Sequence, residues 1–236
     1  MVIINPERDK RMAAKAAERA AGQKGFNYDP TIKPPEFYGD AHETGIVGLT
    51  FKPPWPTAIG WVCRTRRVAD LIRADQPVFE LGCGFGILAA MLWHEGFHRA
   101  NYLGWDFCPD AIAVAKKGNA KEAHQNALWV TSDLDDDAGR ERVRISVEAQ
   151  PDNLAVVSCE TLEHLEHDRE LVEAIPSGTF CIFSVPQFWA RSHLRKFQTP
   201  GIAHERYGEF LEARYRQFQF YPKPESGWIL IWGYRK

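Results

Sequence analysis

The chain has 236 residues, 44% hydrophobic and 25% charged, the composition of an ordinary soluble globular protein, and it is long enough for one domain with decorations around a substantial core. Its net charge of −2 excludes a protein that wraps duplex nucleic acid by charge alone. Arg8 to Lys24 is rich in Ala, Lys, Arg and Glu with little apolar patterning, and reads as a solvated helix or frayed arm. Gly25 to Pro56 carries repeated prolines among Phe26, Tyr28, Phe37, Tyr38, Phe51 and Trp55, which predicts an irregular cap lying across the domain. Thr57 to Ala74 has helical spacing and ends at Asp75-Gln76-Pro77. Strands and helices then alternate: strand Pro77–Leu81, helix Ile87–Glu95, strand Ala100–Asp106, helix Pro109–Lys117, strand Ala127–Thr131 and a short helix within Asp135–Glu148. The pattern continues with strand Leu154–Cys159, helix Leu165–Ala174, strand Thr179–Val185 and a short helix Tyr207–Leu211. Arg214–Phe220 and Trp228–Tyr234 read as a closing pair of strands with no helix between them. The expected fold is α/β: a Rossmann-like, doubly wound, mostly parallel sheet with an antiparallel last strand. The cysteines Cys63, Cys83, Cys108, Cys159 and Cys181 show no C-x-x-C spacing and read as buried, reduced side chains. No apolar leader and no run of membrane-spanning length is visible, so a cytoplasmic protein is expected.

The densest chemical signal lies between Val78 and Ala89. An apolar run reaches Glu80, and Gly82-Cys83-Gly84-Phe85-Gly86 then opens onto an alanine-rich helix. A carboxylate just ahead of the first glycine suits a ligand that carries an ammonium group, and glycines let backbone approach that ligand closely. A nicotinamide-binding turn would place glycine or alanine where Ile87 stands, which argues against an oxidoreductase of that type. In open α/β sheets the ligand sits outside the carboxyl ends of the strands, so the following loops matter as much. Asp106 in Gly104-Trp105-Asp106-Phe107 is placed to accept from ribose hydroxyls, and Asp133 in Ser132-Asp133-Leu134 to read an adenine amino group. Taken singly, Asp106 also reads as the cap of the Pro109 helix and Asp133 as a turn acid; the register of the loops favours the ligand. The E-x-G-x-G-x-G stretch with these acids resembles class I S-adenosylmethionine (SAM) methyltransferases over roughly two-thirds of the chain. The resemblance implies SAM as cofactor. It gives Glu80 to the methionine ammonium, Gly82, Gly84 and Gly86 to the close approach, Asp106 to ribose, Phe107, Asp133 and Leu134 to adenine, and Cys159 to the lining. Ile175-Pro176-Ser177-Gly178-Thr179 stands where the family often shows Pro-Gly-Gly.

The acceptor side is read from Glu160-Thr161-Leu162-Glu163-His164 after the fourth strand of the alternating series. If helical, this segment puts Glu160, Glu163 and His164 on one face. Downstream lie Trp189, His193, Arg195 and Phe197. Three readings stay open: helix-start residues with His164 packed under the loop; His164 or His193 as a general base; and a divalent-metal site of Glu160, Glu163 and His164 completed by His193. The E-x-x-E-H pattern resembles ubiquinone-biosynthesis O-methyltransferases and small-RNA 3′-terminal 2′-O-methyltransferases, the latter with a second histidine where Leu165 stands here. Arg191, Arg195, Lys196 and Arg206 form a basic cluster, either a solvated loop or a site for an acceptor carboxylate or phosphate. The resulting expectation is a cap over 1–56 and a SAM-binding domain over 57–236, with a substrate-side insertion near 186–206. The function it implies is O-methylation of a small-molecule hydroxyl, with Glu160, His164 and His193 at the acceptor and Tyr38, Trp55, Trp189 and Arg195 shaping its pocket. An RNA-end 2′-O-methyltransferase and a non-catalytic SAM-binding partner subunit are the alternatives.

Overall fold

A computed structural model of the chain describes residues 64–94, 101–119, 127–189, 193–220 and 223–236, and the backbone of Ile3–Ile4. The expected N-terminal helix, most of the cap with Tyr38 and Trp55, Cys63 and Arg191 lie outside the described residues. Strand β1 (Ile3–Ile4) pairs antiparallel with a short strand far along the chain, Arg195–Lys196, which is β7 in chain order. A helix, α1, has its described part over 64–69 and gives way to turn before Pro77.

The main sheet begins with β2 (Val78–Leu81), whose residues are all buried, as a strand covered on both faces requires. It continues through β3 (Tyr102–Asp106), β4 (Ala127–Thr131), β5 (Ala155–Cys159) and β6 (Phe180–Pro186) and ends in β8 (Leu211–Phe220) and β9 (Lys223–Arg235). The seven strands lie in the order β4-β3-β2-β5-β6-β9-β8. All pairs from β4 to β6 are parallel; β9 inserts antiparallel between β6 and β8. The crossover helices are α2 (Ile87–His94), α3 (Pro109–Gly118), α4 (Asp137–Glu148) and α5 (Asp168–Ala174); α6 (Pro200–Tyr207) precedes the final hairpin.

Alternate residues of one strand feed opposite cores, as the two-residue period of a strand dictates. Phe79, Leu81 and Val156 join Val143, Leu171 and Tyr207 from α4, α5 and α6. Val78, Ala155 and Val157 join Val68, Leu92 and Ile112 from α1, α2 and α3. The doubly wound sheet with an antiparallel last strand is therefore the one expected. Among the described residues no helix is long and apolar enough to cross a membrane.

Three elements differ from expectation. The short helix is not at Tyr207–Leu211 but at Pro200–Tyr207, where Thr199 caps the Ile202 amide and Pro200 fits the first turn. The segment after β5 is a single 3₁₀ turn, Leu162–His164, and α5 starts only at Asp168, so Glu160, Glu163 and His164 do not share an α-helical face. The hairpin is also tighter, with β9 beginning at Lys223. Chain order leaves β2 toward β3 on one side and toward β5 on the other. That reversal makes the carboxyl ends of β2 and β5 the switch point, where such sheets take their ligands.

Candidate functional site

The glycine turn after β2 has Gly82, Gly84 and Gly86 all at positive φ (78°, 51° and 75°), a conformation glycine adopts without strain. What surrounds them differs. A Cβ on Gly82 would meet Thr161 Oγ1 at 2.1 Å, and one on Gly86 would meet Asn119 and Trp129, whereas around Gly84 nothing lies within 4 Å. Gly82 and Gly86 are thus needed for packing, and Gly84 presents bare backbone to open space. The turn is pinned from β3: the Trp105 carbonyl accepts from the amides of Gly82 (2.7 Å) and Cys83 (2.9 Å). The Asp106 carboxylate accepts from the amides of Gly84 and Cys108, both at 2.9 Å. Burial raises the Asp106 pKa while those two amides oppose the shift.

Glu80 is 3% exposed and accepts a short hydrogen bond from the Tyr102 hydroxyl. Burial pushes its carboxyl up to about 8, against the opposing pull of the Tyr102 bond and of Arg64. Phe107 is 39% exposed beside this turn, Leu134 is buried, and the Asp133 carboxylate accepts from the Asp135 amide (2.9 Å). Cys159 ends β5. Beyond it Thr161 reaches back, its hydroxyl 3.3 Å from the Cys159 carbonyl and 3.5 Å from that of Gly82, joining the two strand-end turns across the switch point.

Glu160 takes φ 53°, a left-handed conformation that costs a non-glycine residue about 1–2 kcal/mol. Its buried carboxylate faces Arg64 (Oε2 to Nη1, 3.5 Å) and accepts from the Ser184 hydroxyl (3.4 Å). Burial raises its pKa; Arg64 and Ser184 pull the other way. Arg64 is itself buried, and its Nε has no hydrogen-bond partner among the described residues.

Glu163, His164 and His193 converge, one ligand atom from each lying within 4.8 Å of the others. Glu163 is fully buried, and neither carboxylate oxygen has a hydrogen-bond partner among the described residues. Its Oε1 lies 3.6 Å from His164 Nε2 and 3.7 Å from His193 Nε2. Burial first and the Glu160 charge second raise its pKa well above the usual carboxylate range. His193 Nδ1 is 3.1 Å from the Phe188 carbonyl, which can only accept, so Nδ1 carries a proton and Nε2 is the ring nitrogen that faces Glu163. A ring nitrogen aimed at a buried carboxyl with no hydrogen-bond partner among the described residues calls for a proton or a cation between them. One carboxylate and two imidazoles form a donor set that fits a divalent cation.

The structure therefore brings Glu163, His164 and His193 together, while Glu160 is turned toward Arg64. Trp189 is 37% exposed, and the Lys196 ammonium lies 5.8 Å from its ring centre. Arg195, expected to face an acceptor, is 6% exposed and sits 2.9 Å from Asp168 Oδ1. Sequence reasoning passed over Arg64, Tyr102 and Thr161. Arg64 precedes the turn in a run with Arg66 and Arg67, and nothing local separates the buried arginine from its exposed neighbours.

No family model and no curated protein matches the chain by sequence. Solved structures do match it by fold. The N-methyltransferase NodS from Bradyrhizobium japonicum WM9, in complex with S-adenosyl-L-homocysteine (SAH), superposes with a TM-score of 0.54 at 16% identity, covering 83% of this chain and 98% of that one. The magnesium protoporphyrin IX methyltransferase of Synechocystis PCC 6803 with bound SAH gives 0.59 at 15% identity, over 93% and 100% of the two chains. A small RNA methyltransferase gives 0.57 at 16% identity, over 79% of this chain and 27% of that one. With β9 antiparallel between β6 and β8 and the glycine turn at the β2 end of the switch point, the chain has the class I, Rossmann-like methyltransferase fold.

Proposed function

We propose that the protein is a SAM-dependent O-methyltransferase acting on the hydroxyl of a small molecule. The observation that carries this reading is the pairing, across one switch point, of an open glycine turn with the Glu163, His164 and His193 cluster. On the cofactor side, Arg64 offers an unpartnered buried guanidinium N–H to the methionine carboxylate, and Glu80 meets the ammonium. Gly84 gives the backbone approach, Asp106 accepts from ribose, and Phe107, Asp133, Leu134 and Cys159 border the adenine end. The sulfonium is already a strong electrophile, so the protein's task is to align the acceptor oxygen and remove its proton. Glu163, His164 and His193 would hold a divalent cation, which when bound lowers the pKa of an acceptor hydroxyl. Glu160 borders the same space, and Trp189 follows Phe188, whose carbonyl meets His193.

The test is calorimetric titration of SAH into the protein with and without EDTA treatment, alongside metal analysis of wild type, Glu163→Gln and His193→Ala. Micromolar SAH binding is expected in all three proteins, with stoichiometric metal in wild type and little in the variants. Absence of SAH binding sinks the assignment. SAH binding with no metal leaves His164 as the general base.

One observation favours a second acceptor, the 3′-terminal 2′-hydroxyl of an RNA. Trp189 and Lys196 form an aromatic face with a cation beside it, a pairing that suits a nucleobase and its phosphate. The fold likeness to a small RNA methyltransferase agrees with it. Methyl transfer from labelled SAM to a small RNA rather than to a catechol would select this reading. Tight SAH binding with transfer to neither would point to a cofactor-binding partner subunit.

A further inference from the structure

The 3₁₀ turn that presents Glu163 and His164 is three residues long, and its internal support is slight: the His164 amide reaches the Thr161 carbonyl (2.9 Å) and the Leu165 amide the Leu162 carbonyl (3.3 Å). A turn this short does not fix its own side chains. Its external anchors come from the segment that follows His193. The Leu194 amide donates to the Glu163 carbonyl (2.8 Å). Arg195 Nη1 donates to the carbonyls of Leu162 (2.9 Å) and Leu165 (2.6 Å), which bracket Glu163 and His164 in sequence. The guanidinium is held in turn by Asp168, fully buried at the start of α5. Asp168 also accepts from Arg206 through both oxygens and from the Tyr207 hydroxyl (2.7 Å) at the end of α6. Two guanidinium groups on one carboxylate leave a net positive charge in this network.

We infer that Arg195 is a positioning residue for the acceptor-side cluster: clamped by Asp168, its Nη1 fixes the Leu162 and Leu165 carbonyls and so sets Glu163 and His164 against His193. The inference rests on the acceptor-side reading of that cluster. Lysine does not reproduce this place, because its ammonium ends one bond short of the arginine Nη1 and lacks the planar guanidinium that sets Nη1 between the carboxylate and both carbonyls. Arg206 grips the same Asp168 without touching the turn, which makes it the natural control.

The experiment compares full-length Arg195→Lys and Arg206→Lys with wild type. It measures SAH affinity by calorimetry, Mn²⁺ affinity by electron paramagnetic resonance, and amide hydrogen exchange over residues 161–166. Both variants are expected to bind SAH within about twofold of wild type, since the cofactor loops are untouched. Arg195→Lys alone is expected to weaken Mn²⁺ binding by about tenfold and to speed exchange over 161–166 by about tenfold or more. An Arg195→Lys protein that matches Arg206→Lys in both readouts overturns the inference and leaves Arg195 a stability contact. If wild type binds no Mn²⁺ yet Arg195→Lys still speeds exchange in that turn alone, the metal part of the proposed function fails and the positioning role stands. Should Arg195→Lys fail to fold, Asp168→Asn, which keeps an oxygen for the guanidinium, is compared in the same way.

Discussion

Gly82 and Gly84 share a left-handed backbone and differ in what a methyl group would meet. On Gly82 it would collide with Thr161, the residue that joins the β2 and β5 turns; on Gly84 it would enter empty space. Both alanine variants carry the strain of positive φ, about 1–2 kcal/mol. Gly82→Ala should lose more than this, because Thr161 must also move, and chemical denaturation will read the difference. Gly84→Ala should keep the smaller loss yet weaken SAH binding about tenfold or more, since its methyl would occupy the space proposed for the cofactor. Wild-type SAH affinity in Gly84→Ala would remove the cofactor from that face. The glycine turn was legible in the sequence because a tight strand-to-helix turn imposes a local backbone requirement that only certain residue types meet. The directions taken by Arg64, Glu160 and Arg195 were not, because where a long charged side chain points is set by partners distant in sequence: Glu160 for Arg64, Asp168 for Arg195.

At the scale of elements, α4 shows how a helix start supports a loop it does not belong to. Asp136 caps the helix by accepting from the Gly139 amide, and Gly139 lies against the Asp133 carbonyl so closely that a Cβ would fall 1.7 Å from that oxygen. Two variants of the same helix turn should therefore separate. Asp136→Ala removes the cap and should cost about 1 kcal/mol of stability, with SAH affinity little changed. Gly139→Ala displaces the Asp133-Leu134 loop and should weaken SAH binding several-fold as well as lower the melting temperature. Equal SAH affinity in both variants would detach that loop from the cofactor. Strands β2, β5 and β6 were legible as apolar runs because a strand buried on both faces has no other composition open to it. The turn after β5 was not. E-T-L-E-H has helical spacing, but its place between β5 and α5 lets it form only one turn, held by contacts from β7. The start of α6 lies in Thr199-Pro200, a cap followed by a first-turn proline, upstream of the helix expected at Tyr207–Leu211.

For the whole molecule, the switch point gathers acids at the centre of a sheet whose central strands are buried, and pH follows from that. Glu80 is raised from its ordinary 4.5 to about 8, with burial the main cause. A carboxyl whose folded pKa lies above its unfolded one gives stability that is complete below pH 4.5 and is lost as the pH rises through 8. Glu80→Gln cannot ionise, so its stability should fall less than that of wild type between pH 6 and 9, as thermal unfolding across that range will show. Cofactor binding runs through the same equilibrium. An ammonium placed against Glu80 favours the carboxylate, so SAH binding at pH 7, below the free-protein value, should expel a proton. Calorimetry at pH 7 in buffers of different ionisation enthalpy counts that proton directly. Wild type should release a substantial fraction of one proton per SAH, while Glu80→Gln should release almost none and bind SAH about tenfold more weakly. Equal proton release by the two proteins would separate Glu80 from the ammonium and return it to a purely internal partner of Tyr102.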